Sequence, residues 1–206
     1  MKKKLAAALL AAAMLMASLA GCGAPSTSQP TESTPPASSA AEDGKKVLTI
    51  AQGGDISTFD MQNHNNGVTG AVLCNVSHSL VERADEDNSW MCVLATSYEM
   101  IDDSTWEFKL RDDVTWHNGD PFTAADVKWT YERAATDESL AENHIFSVIK
   151  EVQIVDDYTV RFVTNGPYPT MLSLLSKNGS EVMPSKYIEE NGLDYYLEHP
   201  IGLRPL

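Results

Sequence analysis

The side chains in this sequence that could do chemistry are three thiols, five imidazoles and the hydroxyls of one glycine-led loop. The thiols are Cys22, Cys74 and Cys92, and none has the spacing of a metal site. Cys74 and Cys92 could pair as a disulfide in an oxidising compartment. The alternative, a buried free thiol, suits Cys74 in the apolar run Ala71-Val72-Leu73-Cys74. The imidazoles of His64, His78, His117, His144 and His199 are scattered, and neither His-Glu-x-x-His nor Gly-x-Ser-x-Gly occurs. His64, close in sequence to Asp60 and Asn63, is a conceivable metal ligand, but one imidazole in a loop does not make a site. His117, in Trp116-His117-Asn118-Gly119-Asp120, lacks a partnered nucleophile and reads as structural. No catalytic residue, metal ligand set or cofactor motif is therefore assigned, and an enzyme such as an exported hydrolase is disfavoured. The hydroxyls belong to Ser57 and Thr58, which with Phe59 follow Gly53-Gly54-Asp55. They are candidate ligand contacts, the alternative being a polar turn with one core phenylalanine.

Positioning that loop requires the elements around it. Residues 46–52 (KVLTIAQ) read as a strand that ends in the glycine pair. Residues 69–82 read as a helix with Val72, Val76 and Leu80 on one stripe. Tyr98–Ile101 and Thr105–Arg111 flank a turn at Asp102-Asp103-Ser104. In the second arm Trp106, Phe108 and Leu110 alternate with Glu107, Lys109 and Arg111, the mark of a half-buried antiparallel strand. That alternation places Trp106 in a core. A short strand is expected at Val114–His117, then a turn at Asn118-Gly119-Asp120. Thr123 and Asp126 are spaced as a capping box, followed by the apolar stripe Val127, Tyr131 and Ala134. A second hairpin is expected over 152–164, a short helix over Pro169–Leu175, and a strand end passing into a helix over Met183–Ile188. Hairpins interspersed with helices predict a mixed α+β or α/β fold.

The N-terminus has a different chemistry. Lys2, Lys3 and Lys4 precede eleven apolar residues, Leu5 to Leu15, too few to cross a bilayer. Leu19-Ala20-Gly21-Cys22 then resembles the lipobox of bacterial lipoproteins. That resemblance implies a signal peptide over 1–21, lipidation of Cys22 and attachment to a membrane through the lipid. Residues 22–44, rich in Ser, Thr, Pro and Ala, read as a disordered tether. Residues 45–206 are long enough for one domain with a core. The formal charge is −14, which argues against nucleic acid as a partner and favours solubility.

The stretch from Leu94 to Arg133 is the most distinctive. Leu94-Ala95, Trp106 to Arg111, Trp116 to Pro121 and Thr123 to Val127 follow, in order, the signature of the family 5 solute-binding proteins of ABC importers. Ser57 to Asp60, Met183 to Tyr187 and His199 to Gly202 resemble further family segments. The resemblance implies a mixed α/β fold of the periplasmic-binding-protein-like type II class, here the N-terminal part of a family 5 domain over 45–206. Part of the first lobe and the extra subdomain would be present, with the second lobe missing. After Gly202 the family pattern is replaced by Leu203-Arg204-Pro205-Leu206, which suggests a truncated or frameshifted chain that binds solute poorly or not at all. The implied function is solute capture for an ABC permease at the outer face of the cell membrane, by a lipid-anchored monomer. A peptide is the implied solute. The alternatives are nickel or another small solute, or a lipid-anchored interaction or sensor module.

Overall fold

The computed structural model describes residues 47–84 and 86–203. The expected signal segment 1–21, Cys22, and the expected tether 22–44 lie outside the described residues. The fold resides in the unit Ile50–Leu206.

In chain order its elements are α1 (Gly67–Leu73), β1 (Val81–Arg83), β2 (Trp90–Cys92), β3 (Ala95–Asp102), β4 (Thr105–Leu110), α2 (Ala124–Thr136) and α3 (Asn143–Phe146). They continue with β5 (Ile149–Asp156), β6 (Thr159–Thr164), α4 (Met171–Leu174), α5 (Ser185–Asn191) and α6 (Leu193–Glu198). Strands β1 and β2 form a small antiparallel ribbon, and the main sheet has the order β3-β4-β6-β5 with all neighbours antiparallel.

The two expected hairpins close by the same local chemistry. Asp102 Oδ1 accepts from Ser104 N at 2.8 Å, and Asp156 Oδ1 accepts from Tyr158 N at 2.9 Å. A carboxylate that satisfies the turn amide two residues on favours the reversal. Trp106, Phe108 and Leu110 of β4 and Val160 and Phe162 of β6 then face one way and are buried. Helix α2 lies over them through Val127, Tyr131 and Ala134. The Tyr131 ring meets Phe162 edge-on at 5.0 Å, and Phe162 meets Phe108 likewise at 5.5 Å. Burial of each such ring stabilises by roughly 1.5–3 kcal/mol, so this aromatic stack is the main cohesive element. On the opposite face Glu107 accepts from Lys109 and Arg161 at 3.0 and 2.8 Å. The Lys109 ammonium, then the Arg161 guanidinium, hold its carboxyl below the usual range.

Helix α2 starts where its capping box places it. Ala125 N donates to Thr123 Oγ1 at 3.3 Å, and Thr123 N donates to Asp126 Oδ2 at 3.0 Å.

Several expectations are corrected. Residues 47–52 form no strand: no ladder among the described residues reaches Ile50–Gln52, and Ile50 is 72% exposed. Helix α1 is Gly67–Leu73 rather than 69–82. Beyond it the Val76 carbonyl accepts from Leu203 N, and the hydroxyls of Ser77 and Ser79 bond the carbonyls of Val182 and Val81, so the backbone leaves the helical path. Val114–His117 is not a strand. Thr115 and Trp116 make single bridges to Pro121 and Leu203. No strand precedes α5 at Met183. Among the described residues Cys74 and Cys92 form no disulfide, and Cys74 is exposed at the C-terminal end of α1 rather than buried.

Candidate functional site

The loop Gly53–Asp60 is fastened to α1 and α2 rather than to a sheet. Asn66 caps α1, its Oδ1 accepting from Thr69 N at 3.0 Å. The buried Thr69 Oγ1 accepts in turn from Ser57 N at 3.0 Å and lies 3.1 Å from Ser57 Oγ. Thr58 Oγ1 accepts from Asp60 N at 2.9 Å. Phe59 packs on an apolar cluster that includes Met61, Leu73, Met183 and Tyr196. Ser57 is thus exposed, while Thr58 and Phe59 are half-buried.

Arg133 of α2 grips the end of the loop. Its Nη1 donates to Asp60 Oδ1 at 3.0 Å and to Gln62 Oε1 at 2.9 Å, and its Nη2 donates to Asp60 Oδ2 at 2.6 Å. Gln62 Nε2 completes the knot by donating to Thr130 O at 2.7 Å. A bidentate guanidinium–carboxylate pair fixes both distance and plane, so the loop leaves α2 in one direction.

Beside this loop lies a hollow of about 630 Å³. Ile50, Gln52 and Gly53 line one side. Val68, Ala71, Val72 and Asn75, on a single face of α1 and its C-terminal turn, line the other. The lining holds neither carboxylate nor imidazole. Asn75 Nδ2 donates to Ala71 O at 2.8 Å, which leaves its Oδ1 as an acceptor. Such a surface can hold an apolar group or an amide but has no group to move a proton. Ser57, Thr58 and Phe59 are not part of this lining. They follow it and tie its edge to the far side of α1.

A second cavity, of about 260 Å³, lies between Trp116, Pro121 and the start of α5. The buried Asp126 carboxylate at its base accepts from Trp116 Nε1, Thr123 N, Ser185 N and Ser185 Oγ, at 3.2, 3.0, 2.9 and 2.6 Å. Burial pushes that carboxyl above its ordinary value even so. Lys186 and Asp120 pair at the rim at 2.7 Å, and the ammonium holds Asp120 low. Trp116 and Trp106 are core residues, whereas Trp129 is half-buried with the Arg133 guanidinium 5.8 Å above its ring.

Among the described residues no three His, Cys, Asp or Glu side chains are placed to hold a metal ion. His64 is buried, and its Nδ1 has no partner among the described residues. Glu181 is also buried, its Oε2 accepting from Gly179 N at 2.7 Å. Burial raises its carboxyl above the usual range.

Sequence reasoning missed Arg133, Gln62 and Thr69. The ion pair joins positions 73 apart, and nothing local to either residue announces the other.

Comparison with known proteins follows this geometry. Residues 91–205 match the model of the bacterial extracellular solute-binding proteins, family 5 Middle. The glutathione-binding protein GsiB of Salmonella paratyphi A is 28% identical over 162 residues, covering 78% of this chain and 31% of that protein. The solute-binding protein MoaA of A. tumefacien R10, solved with mannopinic acid, superposes with a TM-score of 0.66 at 30% identity, over 72% of this chain and 31% of its own. Haemophilus influenzae OppA, solved with the peptide RPPGFSPFR, gives 0.66 at 25% identity, over 73% and 33%. The chain spans about a third of the length of the curated relatives it matches. No described helix is long and apolar enough to cross a membrane. With the matched segment covering more than half of its residues, this chain belongs to the family 5 bacterial extracellular solute-binding proteins.

Proposed function

We propose that the hollow between Ile50–Gly53 and α1 is one wall of a solute site, in a lipid-anchored solute-binding protein that serves an ABC permease. The observation that carries this reading is the uncharged, largely apolar face of α1, with the Ser57-Thr58-Phe59 loop fastened to the same helix. A peptide suits it. Its backbone supplies amides for Gln52 and Asn75, and its side chains supply apolar groups for Val68 and Val72. Relatives named for glutathione or solved with a peptide point the same way. Ser57, Thr58 and Phe59 contact or frame the solute in this proposal. Residues 1–21 act as an export signal, Cys22 carries the lipid, 22–44 form the tether, and the protein works as a monomer at the outer face of the cell membrane.

The test is a titration of the chain with glutathione and with a nine-residue peptide, followed by amide chemical shifts. Weakly saturating shifts are expected at residues 50–53 and 67–75, because one wall supplies only part of a site. A71W places an indole in the hollow against Val68 and Asn75 and should weaken or abolish them. Shifts confined to other regions, or unaffected by A71W, would refute the reading.

A further inference from the structure

We propose that His117 is a positioning residue: through Gly202 it holds the C-terminal turn of α1, and with it the wall of the hollow. The proposal rests on the reading of that hollow as solute-facing.

His117 binds both backbone polar groups of one residue, Gly202. Its backbone N–H donates to Gly202 O at 2.9 Å, and its Nδ1 accepts from Gly202 N at 3.2 Å. The ring nitrogen stands where a neighbouring strand would present a carbonyl. Accepting at Nδ1 also fixes the neutral ring's proton on Nε2. Trp116, one residue earlier, bridges Leu203. The Trp116–His117 turn therefore grips residues 202 and 203 from one side.

The other side of that segment is α1. Leu203 N donates to Val76 O at 3.0 Å. Gly202 lies so close beneath Val76 that a Cβ built on it would stand 1.9 Å from the Val76 carbonyl oxygen. Val76 hangs directly from the helix, its N–H donating to Leu73 O at 2.8 Å, and its neighbour Asn75 lines the hollow. The layers are thus turn, crossing segment, helix end and hollow, with no side chain between the second and third. Close-packed contacts of this kind transmit displacement rather than absorb it. His117 itself is exposed, so core packing does not explain its place. Its bonds to Gly202 do.

The experiment is hydrogen exchange of the full chain in wild type, H117L and H117N. Asparagine Oδ1 can accept near the position of Nδ1, and leucine cannot. In H117L the amides of Gly202, Leu203 and residues 74–77 should exchange roughly fivefold faster, the effect of one lost hydrogen bond. Those of β4 and β6 should be unchanged, and H117N should restore the slow rates. Unchanged exchange over 74–77 in H117L would overturn the proposal, as would acceleration shared equally by β4 and β6. If H117L does not fold, H117S replaces it in the same comparison, with the same two outcomes. The peptide titration keeps the two readings apart. Altered exchange in H117L, with no peptide-induced shifts at 50–53 and 67–75 even in wild type, would sink the solute-wall reading and leave the positioning role standing.

Discussion

Replacing Arg133 by methionine should be the most damaging single change near the loop. The Asp60 carboxylate is 3% exposed and takes two of its hydrogen bonds from Arg133, which is itself only 13% exposed. Removing the guanidinium leaves a buried charge without its counter-ion, a loss of about 3–5 kcal/mol. Gln62 Oε1 loses a donor as well. With a urea slope of roughly 2 kcal/mol per molar, the unfolding midpoint should fall by about 2 M. D60N should cost less, because the guanidinium it strands can turn toward water. In the double variant D60N/R133M neither charge remains, so its loss should fall short of the sum of the single losses by about 1–3 kcal/mol. Trp129, 5.8 Å from the guanidinium, contributes one of four tryptophan signals to the fluorescence, and the far-ultraviolet signal reports the whole fold. A midpoint within 0.5 M of wild type for R133M (about 1 kcal/mol on the same slope), or strict additivity in the cycle, would refute the claim that this pair fixes the loop.

Three further outcomes are expected. Glu181 has a folded-state pKa above its ordinary value, so its contribution to stability is complete below about pH 4 and is lost as pH rises through the raised value. E181Q keeps an acceptor for Gly179 N and should be more stable than wild type at pH 7, with no advantage at pH 4, as measured by urea titrations at the two values. Tyr196 is fully buried, and its hydroxyl has no partner among the described residues. Y196F should be neutral or stabilising by about 1 kcal/mol, and a loss of stability would show that the hydroxyl has a partner. C22S should abolish labelling of the expressed chain by radioactive palmitate and release it from the membrane fraction, whereas C74S and C92S should do neither.

The parts of the fold legible in the sequence were those encoded within a few residues. The β4 alternation, the aspartates of both hairpin turns and the Thr123–Asp126 box each specify their element through neighbours two or three positions away. The stripe Val72, Val76, Leu80 misled because periodicity does not register competition. Ser77, Ser79 and Leu203 give the backbone after Cys74 other bonds, and the helix ends. The Val114–His117 segment reads like a strand, yet it finds only isolated partners. At the candidate site, the loop residues Ser57 to Phe59 could be singled out by their place after a glycine pair. Their fastening could not, because Thr69 and Arg133 meet them only through the tertiary fold. His117 reads as structural from its place beside a turn, but the residue it bonds lies 85 positions away.

The main sheet's strand order has a consequence for how the chain reaches its fold. Strands β4 and β6 sit side by side at the centre, yet each is born in a different hairpin, with α2 and α3 between them. The hairpins themselves close over turns of a few residues and form quickly. Joining them, with Trp106 opposite Phe162, closes a loop of roughly fifty residues, an entropic cost of about 3.5 kcal/mol before any compensating contact. Until that moment each hairpin shows its apolar face to water, Trp106 and Phe108 in the first and Val152, Val160 and Phe162 in the second, and α2 has no surface to cover. Docking of the two hairpins is therefore the expected slow event, to be checked by folding kinetics of variants at Trp106 and Phe162. A substitution that loosens the second hairpin, near Val160 or Phe162, should unravel the first as well, although the two are far apart in the chain.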